Sequence, residues 1–265
     1  MIDHRLCRAL AIVVAACALG ACATPPIKHK DPRDPWERMN RATDRFNDKL
    51  VRHVAMPVGY AYRRVTPGFV RTGISNFFSN LQTPDIIAND LLQAKFKTSI
   101  SDTGRLLMNT VVGVGGLLDP ATPAGLAKHD NDFGRTLGTW GLHPGPYLVI
   151  PLLGPADLRD GIGRVADGYA SPLNYVNNTT VHYGLYGLDV LDIDSTTLIP
   201  AYELIDSQHP FDQYSFMRNA YLQRREFLIH GTSPDTEKDL EKELEESAPD
   251  DSGNAGGAGQ KPASK

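Results

Sequence analysis

Between Gly138 and Pro155 the chain reads GTWGLHPGPYLVIPLLGP. Prolines at 144, 146, 151 and 155 exclude a regular helix and argue against a central strand, because each removes a backbone donor and fixes φ. Yet the heart of the stretch, YLVIPLL, is as apolar as a core strand. Connecting segments are normally polar and lie in water. The fold must therefore hold a stiff, apolar, irregular segment, in which LVI has room for a brief hairpin pairing.

Around this segment the pattern is helical. Asp34-Pro35-Trp36-Glu37 predicts a helix start, with Asp34 as N-cap, Pro35 at the first position and Glu37 closing a capping box. Met39, Ala42, Phe46, Leu50 and Val54 then recur as an apolar stripe, and Arg38, Arg41, Arg45, Lys49 and Arg52 as a basic one, one residue out of phase. That pairing fits a helix lying in a membrane interface. It fits equally a surface helix whose long basic side chains snorkel over a core. Further helices are expected over 69–81, from Thr83-Pro84-Asp85 through Leu92, over 99–112, 156–169, 181–197 and 211–229. In the third of these, Ile100, Leu106, Leu107 and Val111 are expected inside. The pattern predicts one all-α domain over residues 34–231, without an internal repeat.

The ends carry other information. Arg5 and Arg8 precede an apolar run, Ala9 to Leu19, too short to span a bilayer. It closes in Leu19-Gly20-Ala21-Cys22, the pattern of a bacterial lipoprotein signal, which makes 1–21 the cleaved segment and Cys22 the lipidated residue. Cys7 and Cys17 leave with it, so an internal disulfide is impossible. Ala23 in place of an aspartate favours the periplasmic side of the outer membrane. Residues 22–33 read as a linker. Residues 232–265 form a solvating tail, with nine acids between Asp235 and Asp251, which accounts for the formal charge of −4 and leaves the body near neutral. Nothing in that balance suggests nucleic acid. After the signal no uninterrupted apolar run reaches the length of a membrane span.

No catalytic constellation stands out. Gly73-Ile74-Ser75-Asn76-Phe77 lacks the second glycine of a nucleophile elbow, and His129 and His143 are too far apart in sequence for a local ligand pair. Gly113, Gly115 and Gly116 in VVGVGGLL resemble a phosphate loop only until Asp119-Pro120 interrupts. They fit close approach of a passing chain in a lined cavity, or tight turns between helices. No enzyme activity, metal or cofactor is expected.

A family resemblance completes the picture. DPWERMNRATDRFN, RTGISNFFSNLQTP, NDLLQAKF, GVGGLLDPA, DFGRTLGTWGLHPGPYLVIPLLGPADLRDGIG and YSFMRNAYLQRREFL follow one another over residues 32–231. In that order they resemble the MlaA (VacJ) family of outer-membrane lipoproteins, with mild departures at Met39 and Ala94. The resemblance implies a ring of helices around an amphipathic channel, seated in the inner leaflet of the outer membrane and associated with trimeric porins. Misplaced phospholipid would pass through it to a soluble periplasmic carrier. The family's hairpin loop falls near Leu137–Pro146, making Leu137, Gly138, Trp140, Gly141, Gly145, Pro146 and Tyr147, with Gly113, Gly115 and Gly116, candidates for the channel wall. Asn40, Arg41, Phe46 and Asn47 are candidates for seating the first helix. The alternatives are a lipid-anchored porin scaffold that moves no lipid, and a lipid hydrolase, which would need a nucleophile such as Ser75 or a base such as His143.

Overall fold

A helix with two chemically distinct faces must put one of them inside, and in this chain the buried face is repeatedly the polar one. The computed structural model describes residues 31–208 and 212–231. The signal segment, Cys22, most of the linker and the acidic tail lie outside the described residues. Helix α1 (Glu37–Leu50) buries Glu37, Asn40, Thr43 and Asn47. It runs through a π-helical turn, Val51–Ala55, into α2 (Met56–Val65). Then come α3 (Gly68–Leu92) and α4 (Phe96–Val111), packed along one another. A short α5 (Phe133–Thr139) leads to a hairpin of β1 (Tyr147–Ile150) and β2 (Gly154–Asp157). Helix α6 (Leu158–Ala170) packs on α5. After a 3-10 turn, α7 (Thr179–Ile193) passes through a second π-helical turn, Asp194–Leu198, into α8 (Ile199–Gln208), and α9 (Gln213–His230) closes the described chain. Apart from the hairpin the fold is helical.

The hairpin pairs antiparallel, Tyr147 opposite Asp157 and Ile150 opposite Gly154. Its free edge is covered by a helix. Asn40 donates from Nδ2 to the Tyr147 carbonyl at 3.0 Å and accepts the Val149 N–H at 3.0 Å. Asn47 repeats the clamp one step along, donating to the Ile150 carbonyl at 3.0 Å and accepting the Leu152 N–H at 2.9 Å. The two ladders have different rungs but equal lengths. Seven residues of helix rise about 10.5 Å, and three residues of strand advance about 10 Å. Beneath the hairpin lies a small aromatic core, Tyr147, Val149 and Tyr214, with Tyr221 and Leu222 packed against it.

Several expectations are corrected. Asp34 does not cap α1: the capping position is Trp36, with no side-chain cap bond. Asp34 instead turns inward, 2 % exposed, and accepts hydrogen bonds from Asn40 Nδ2 at 2.8 Å, Tyr214 and Arg218. Thr83-Pro84-Asp85 does not begin a helix, because Pro84 lies inside the continuous α3. Proline costs a helix one rung, and here packing along α4 carries the helix through it. The expected 181–197 helix continues through its π-helical turn to Gln208. Helix α5 was not anticipated; Asp132 caps it by accepting the Arg135 N–H. The largest correction concerns α4. Ile100, Leu107 and Val111 are 73 %, 60 % and 78 % exposed and Leu106 is half-buried, while Ser99, Asp102, Arg105 and Asn109 are buried. Periodicity shows that a helix has two faces, but it does not say which one is inside.

Replacing Asn40 with alanine leaves a buried carbonyl and a buried N–H on β1 without partners, a loss of about 2–4 kcal/mol. Urea unfolding in mild detergent should show a clearly larger drop in midpoint for Asn40→Ala than for the less buried Asn47→Ala. Equal midpoints for Asn40→Ala and wild type would refute the clamp.

Candidate functional site

The inward polar residues form connected networks. Arg225 on α9 reaches Asp132 through both Nη atoms, at 2.6 and 2.9 Å, and Asp160 on α6 through Nη2 at 2.7 Å. Asp160 also accepts from the Tyr221 hydroxyl and from Arg159 Nε. Burial works to raise Asp132, but hydrogen bonds and charge from Arg225 outweigh it and hold the carboxyl below the usual range. A second network is neutral over most of its length. Asn131 donates to Asp90 at 2.7 Å, Gln93 donates to Asn131 and Thr136 at 2.8 Å, and Thr136 donates to Asn89 at 2.7 Å. A third joins Arg105, Asn109 and Thr122 to Asp119. Beside it a cavity of about 10 Å³ opens between α3 and α4, lined by Asn80, Asp102, Arg105, Lys128 and His129 among others. That is room for about one water.

The exterior is the complement. On α6, Leu158, Ile162, Val165 and Tyr169 form an exposed stripe, while Arg159, Asp160 and Gly163 face inward. On α4 the exposed stripe is Phe96, Ile100, Leu107 and Val111, and it continues past the helix end into Val114 and Leu118. The hairpin tip adds Leu152 and Leu153, both more than 60 % exposed. Isolated surface apolar residues are ordinary, but continuous stripes on successive elements mark a surface made for an apolar surround. No helix among the described residues is long and apolar enough to cross a membrane.

The candidate wall residues fall in two places. Gly113 and Gly116 belong to a tight turn at the end of α4, where Gly116 donates to the Asn109 carbonyl at 2.9 Å. A Cβ on Gly113 would lie 2.3 Å from the Asn109 carbonyl oxygen, and one on Gly116 would lie 2.7 Å from Asn80. Gly115 has φ +70° and open space around it. The second group, Leu137 to Pro146, is the end of α5 and its connection to β1, so the hairpin itself begins only at Tyr147. Gly138 is closed in by Ile229 and Arg159, whereas Gly141, at φ +90°, faces open space. Gly145 also has positive φ, Pro146 is half-buried, and Tyr147 is 1 % exposed. Trp140 is 56 % exposed and donates from Nε1 to the Leu92 carbonyl at 2.9 Å. Asn80 and Leu92 thus mark the two groups on α3, and twelve helical residues separate them by about 18 Å.

Of the first-helix candidates, Asn40 and Asn47 clamp β1, and Arg41 bonds Glu37, Asp212 and Ser215. Phe46 instead faces outward, 37 % exposed. Ser75 sits by Asp192, whose carboxyl it helps to lower against a larger rise from burial. His143 is exposed, and its ring nitrogen lies 3.4 Å from the Gly141 carbonyl. Among the described residues no group of acids, histidines or cysteines is placed to hold a metal. Sequence reasoning missed the networked residues Asn89, Gln93, Asn131 and Thr136. For Asn89 and Gln93 the signal was a polar pair at helical spacing, which is ordinarily read as solvated.

The family model for the MlaA lipoprotein matches residues 32–228. The chain belongs to the MlaA lipoprotein family. The Escherichia coli K12 intermembrane phospholipid transport system lipoprotein MlaA is 31 % identical over 232 residues, 84 % of this chain and 89 % of that one. Its Haemophilus influenzae namesake is 28 % identical, covering 83 % and 90 %. An uncharacterized Rickettsia typhi protein is 32 % identical over 74 % of this chain and 78 % of its own. Among solved structures, a chain described in work on the structural basis for maintenance of bacterial outer membrane lipid asymmetry matches with TM-score 0.64. It is 33 % identical and covers 74 % of this chain and 98 % of its own. The MlaA match therefore spans nearly the whole described region, including both glycine-rich groups.

Two outcomes follow from this geometry. Gly113→Ala meets backbone atoms that cannot swing aside, whereas Gly115→Ala meets only an unfavourable φ, worth about 1 kcal/mol. Thermal unfolding should show the larger loss at Gly113. The second concerns Asp167, which accepts the Phe133 N–H at 3.0 Å and is pushed up to about 6, first by burial and then by Asp85. A carboxyl raised in the folded state favours folding when protonated, so its contribution declines as pH rises from about 4 to about 6. Asp167→Asn keeps the acceptor but removes the titration. Its unfolding midpoint should match wild type near pH 4 and exceed it at pH 7; the same difference at both would refute the assignment.

Proposed function

We propose that this protein is the outer-membrane lipoprotein of an intermembrane phospholipid transport system, lipid-anchored at Cys22 and facing the periplasm. It would draw misplaced phospholipid from the outer leaflet through an amphipathic channel and pass it to a soluble carrier. The observation that carries the reading is the reversed packing: hydrogen-bonded polar residues inside, continuous apolar stripes outside. A phospholipid headgroup cannot cross hydrocarbon without compensation for its lost hydration. A body with an apolar girdle and a polar interior sits in a leaflet and offers that compensation. The Escherichia coli and Haemophilus influenzae relatives are lipoproteins of an intermembrane phospholipid transport system, which supports the same reading. Association with a trimeric porin would hold the ring at its working depth. The proposed route opens beside the 140–146 connection, where Gly141 faces free space. Transport breaks no bond, so it asks for no nucleophile.

Deleting the gene tests this directly. Phospholipid accessible to an external phospholipase should rise severalfold, and the wild-type gene should restore it. Unchanged surface phospholipid would overturn the transport role and leave the scaffold reading. Gly141→Trp, produced at wild-type level and folded, is expected not to restore; full restoration would displace the channel from this connection.

A further inference from the structure

The continuous helical rod from Glu37 to Val65 carries arginines of two kinds. Arg41 and Arg52 are committed to the body. Arg41 bonds Glu37 at 2.7 Å and Asp212 at 2.6 Å and lies over the Tyr214 ring. Arg52 bonds Asp48 at 2.9 Å and Asp206 at 2.8 Å and lies over Tyr202. Arg38, Arg45 and Lys49 are exposed, and no ion pair holds them among the described residues. Their spacing of seven and four puts them within an arc of about 40° on α1. That line is diametrically opposite the buried Asn40 and Asn47, so it points straight away from the protein.

One flank of this line is apolar. Ala42 and Phe46 are its neighbours on α1, and Val54 and Val58, about half exposed, extend the apolar surface along the rod. Three cations held outward beside an apolar strip need an occupant that is anionic at one level and hydrocarbon at the next. The acidic C-terminal segment answers the charge but not the strip, since between Asp235 and Asp251 its large apolar residues are only Leu240 and Leu244. A bilayer surface answers both, with lipid phosphates at the depth of the cations and acyl chains at the depth of Phe46.

We propose that the line Arg38, Arg45 and Lys49 is a recognition edge for anionic phospholipid headgroups, which it gathers around the protein in preference to zwitterionic ones. The geometry separates this edge from Arg41 and Arg52, whose charge is spent on the carboxylates of Asp212, just before α9, and Asp206 of α8. The inference rests on the membrane placement in the transport reading, but not on transport itself. Lipid enrichment and lipid movement fail separately.

The test uses the lipidated full chain reconstituted in phosphatidylethanolamine vesicles containing roughly one-quarter phosphatidylglycerol. Native mass spectrometry then gives the ratio of the two lipids retained. Wild type should retain phosphatidylglycerol at about fivefold or more over its bulk share, and raised salt during reconstitution should erase the excess. Arg38→Gln/Arg45→Gln/Lys49→Gln should return the ratio to bulk with an unchanged circular dichroism spectrum. Arg63→Gln/Arg64→Gln, which removes two exposed cations elsewhere on the rod, should keep most of the excess. A wild-type ratio equal to bulk, or a triple variant that keeps the excess, overturns the proposal. So does a photo-crosslinker at position 45 that captures the acidic segment or a protein instead of lipid. If the triple variant loses its excess but still restores low surface phospholipid, the edge stands and is shown to be separate from the channel.

Discussion

A buried hydrogen-bonding group must find a partner, and that demand organises the whole molecule. Asp34, Asn40, Asp132, Asp160 and Thr136 are all nearly or fully removed from solvent or bound into networks that are. Two of the networks join elements distant in sequence: Asp34 ties the first turn to α9, and Asp160 ties α6 to the same helix. Unlike an apolar core, where many neighbours are interchangeable, such a set has few alternative pairings. The small aromatic cluster under the hairpin is the only buried apolar cluster seen among the described residues, and Tyr214 and Tyr221 of that cluster also take part in the networks. Shape here is determined more by directional bonds than by oil.

Once the polar faces are committed inward, the apolar faces have nowhere to go but out. The stripes on α4 and α6 are therefore not defects of packing but the other half of the same arrangement. A body of this kind is at home only where its surroundings are apolar at one level and wet at another. Membership of the MlaA lipoprotein family places it among proteins of that setting. The interior is fixed and strongly hydrogen-bonded. Two of its carboxylates, Asp132 and Asp157, are held by an arginine and by a backbone N–H group respectively.

Much of this was legible in the residues and some was not. Helical spacing located α1, α4 and α9 within a few positions, and LVI, despite the prolines that argued against a strand there, lies in the hairpin that forms among the described residues. Pro84 misled because a local rule about helix breaking was overridden by the length of contact between α3 and α4. Asp34 misled because an aspartate three residues before Glu37 satisfies the capping pattern whether or not its side chain caps; a tyrosine and an arginine about 180 positions away took it instead. The deepest misreading, apolar faces placed inside, came from a rule that presumes water on every side. Nothing local to Ile100 or Val111 contradicts that presumption. Only the partners found by Asp102, Arg105 and Asn109 do so.

The paired asparagines on α1 have one more consequence. Seven helical residues between Asn40 and Asn47 match three strand residues on β1 in length, so the two elements behave like engaged gear racks. A single residue added between the asparagines would turn the second one about 100° off the strand, and no slide along the axis could restore both clamps. Substitutions on this helix can vary widely while its length between those two positions cannot. Because the hairpin is geared to α1 and the 140–146 connection feeds directly into β1, any shift of α1 along its axis carries that connection with it. Two amide groups thus tie the placement of that connection to the placement of the helix.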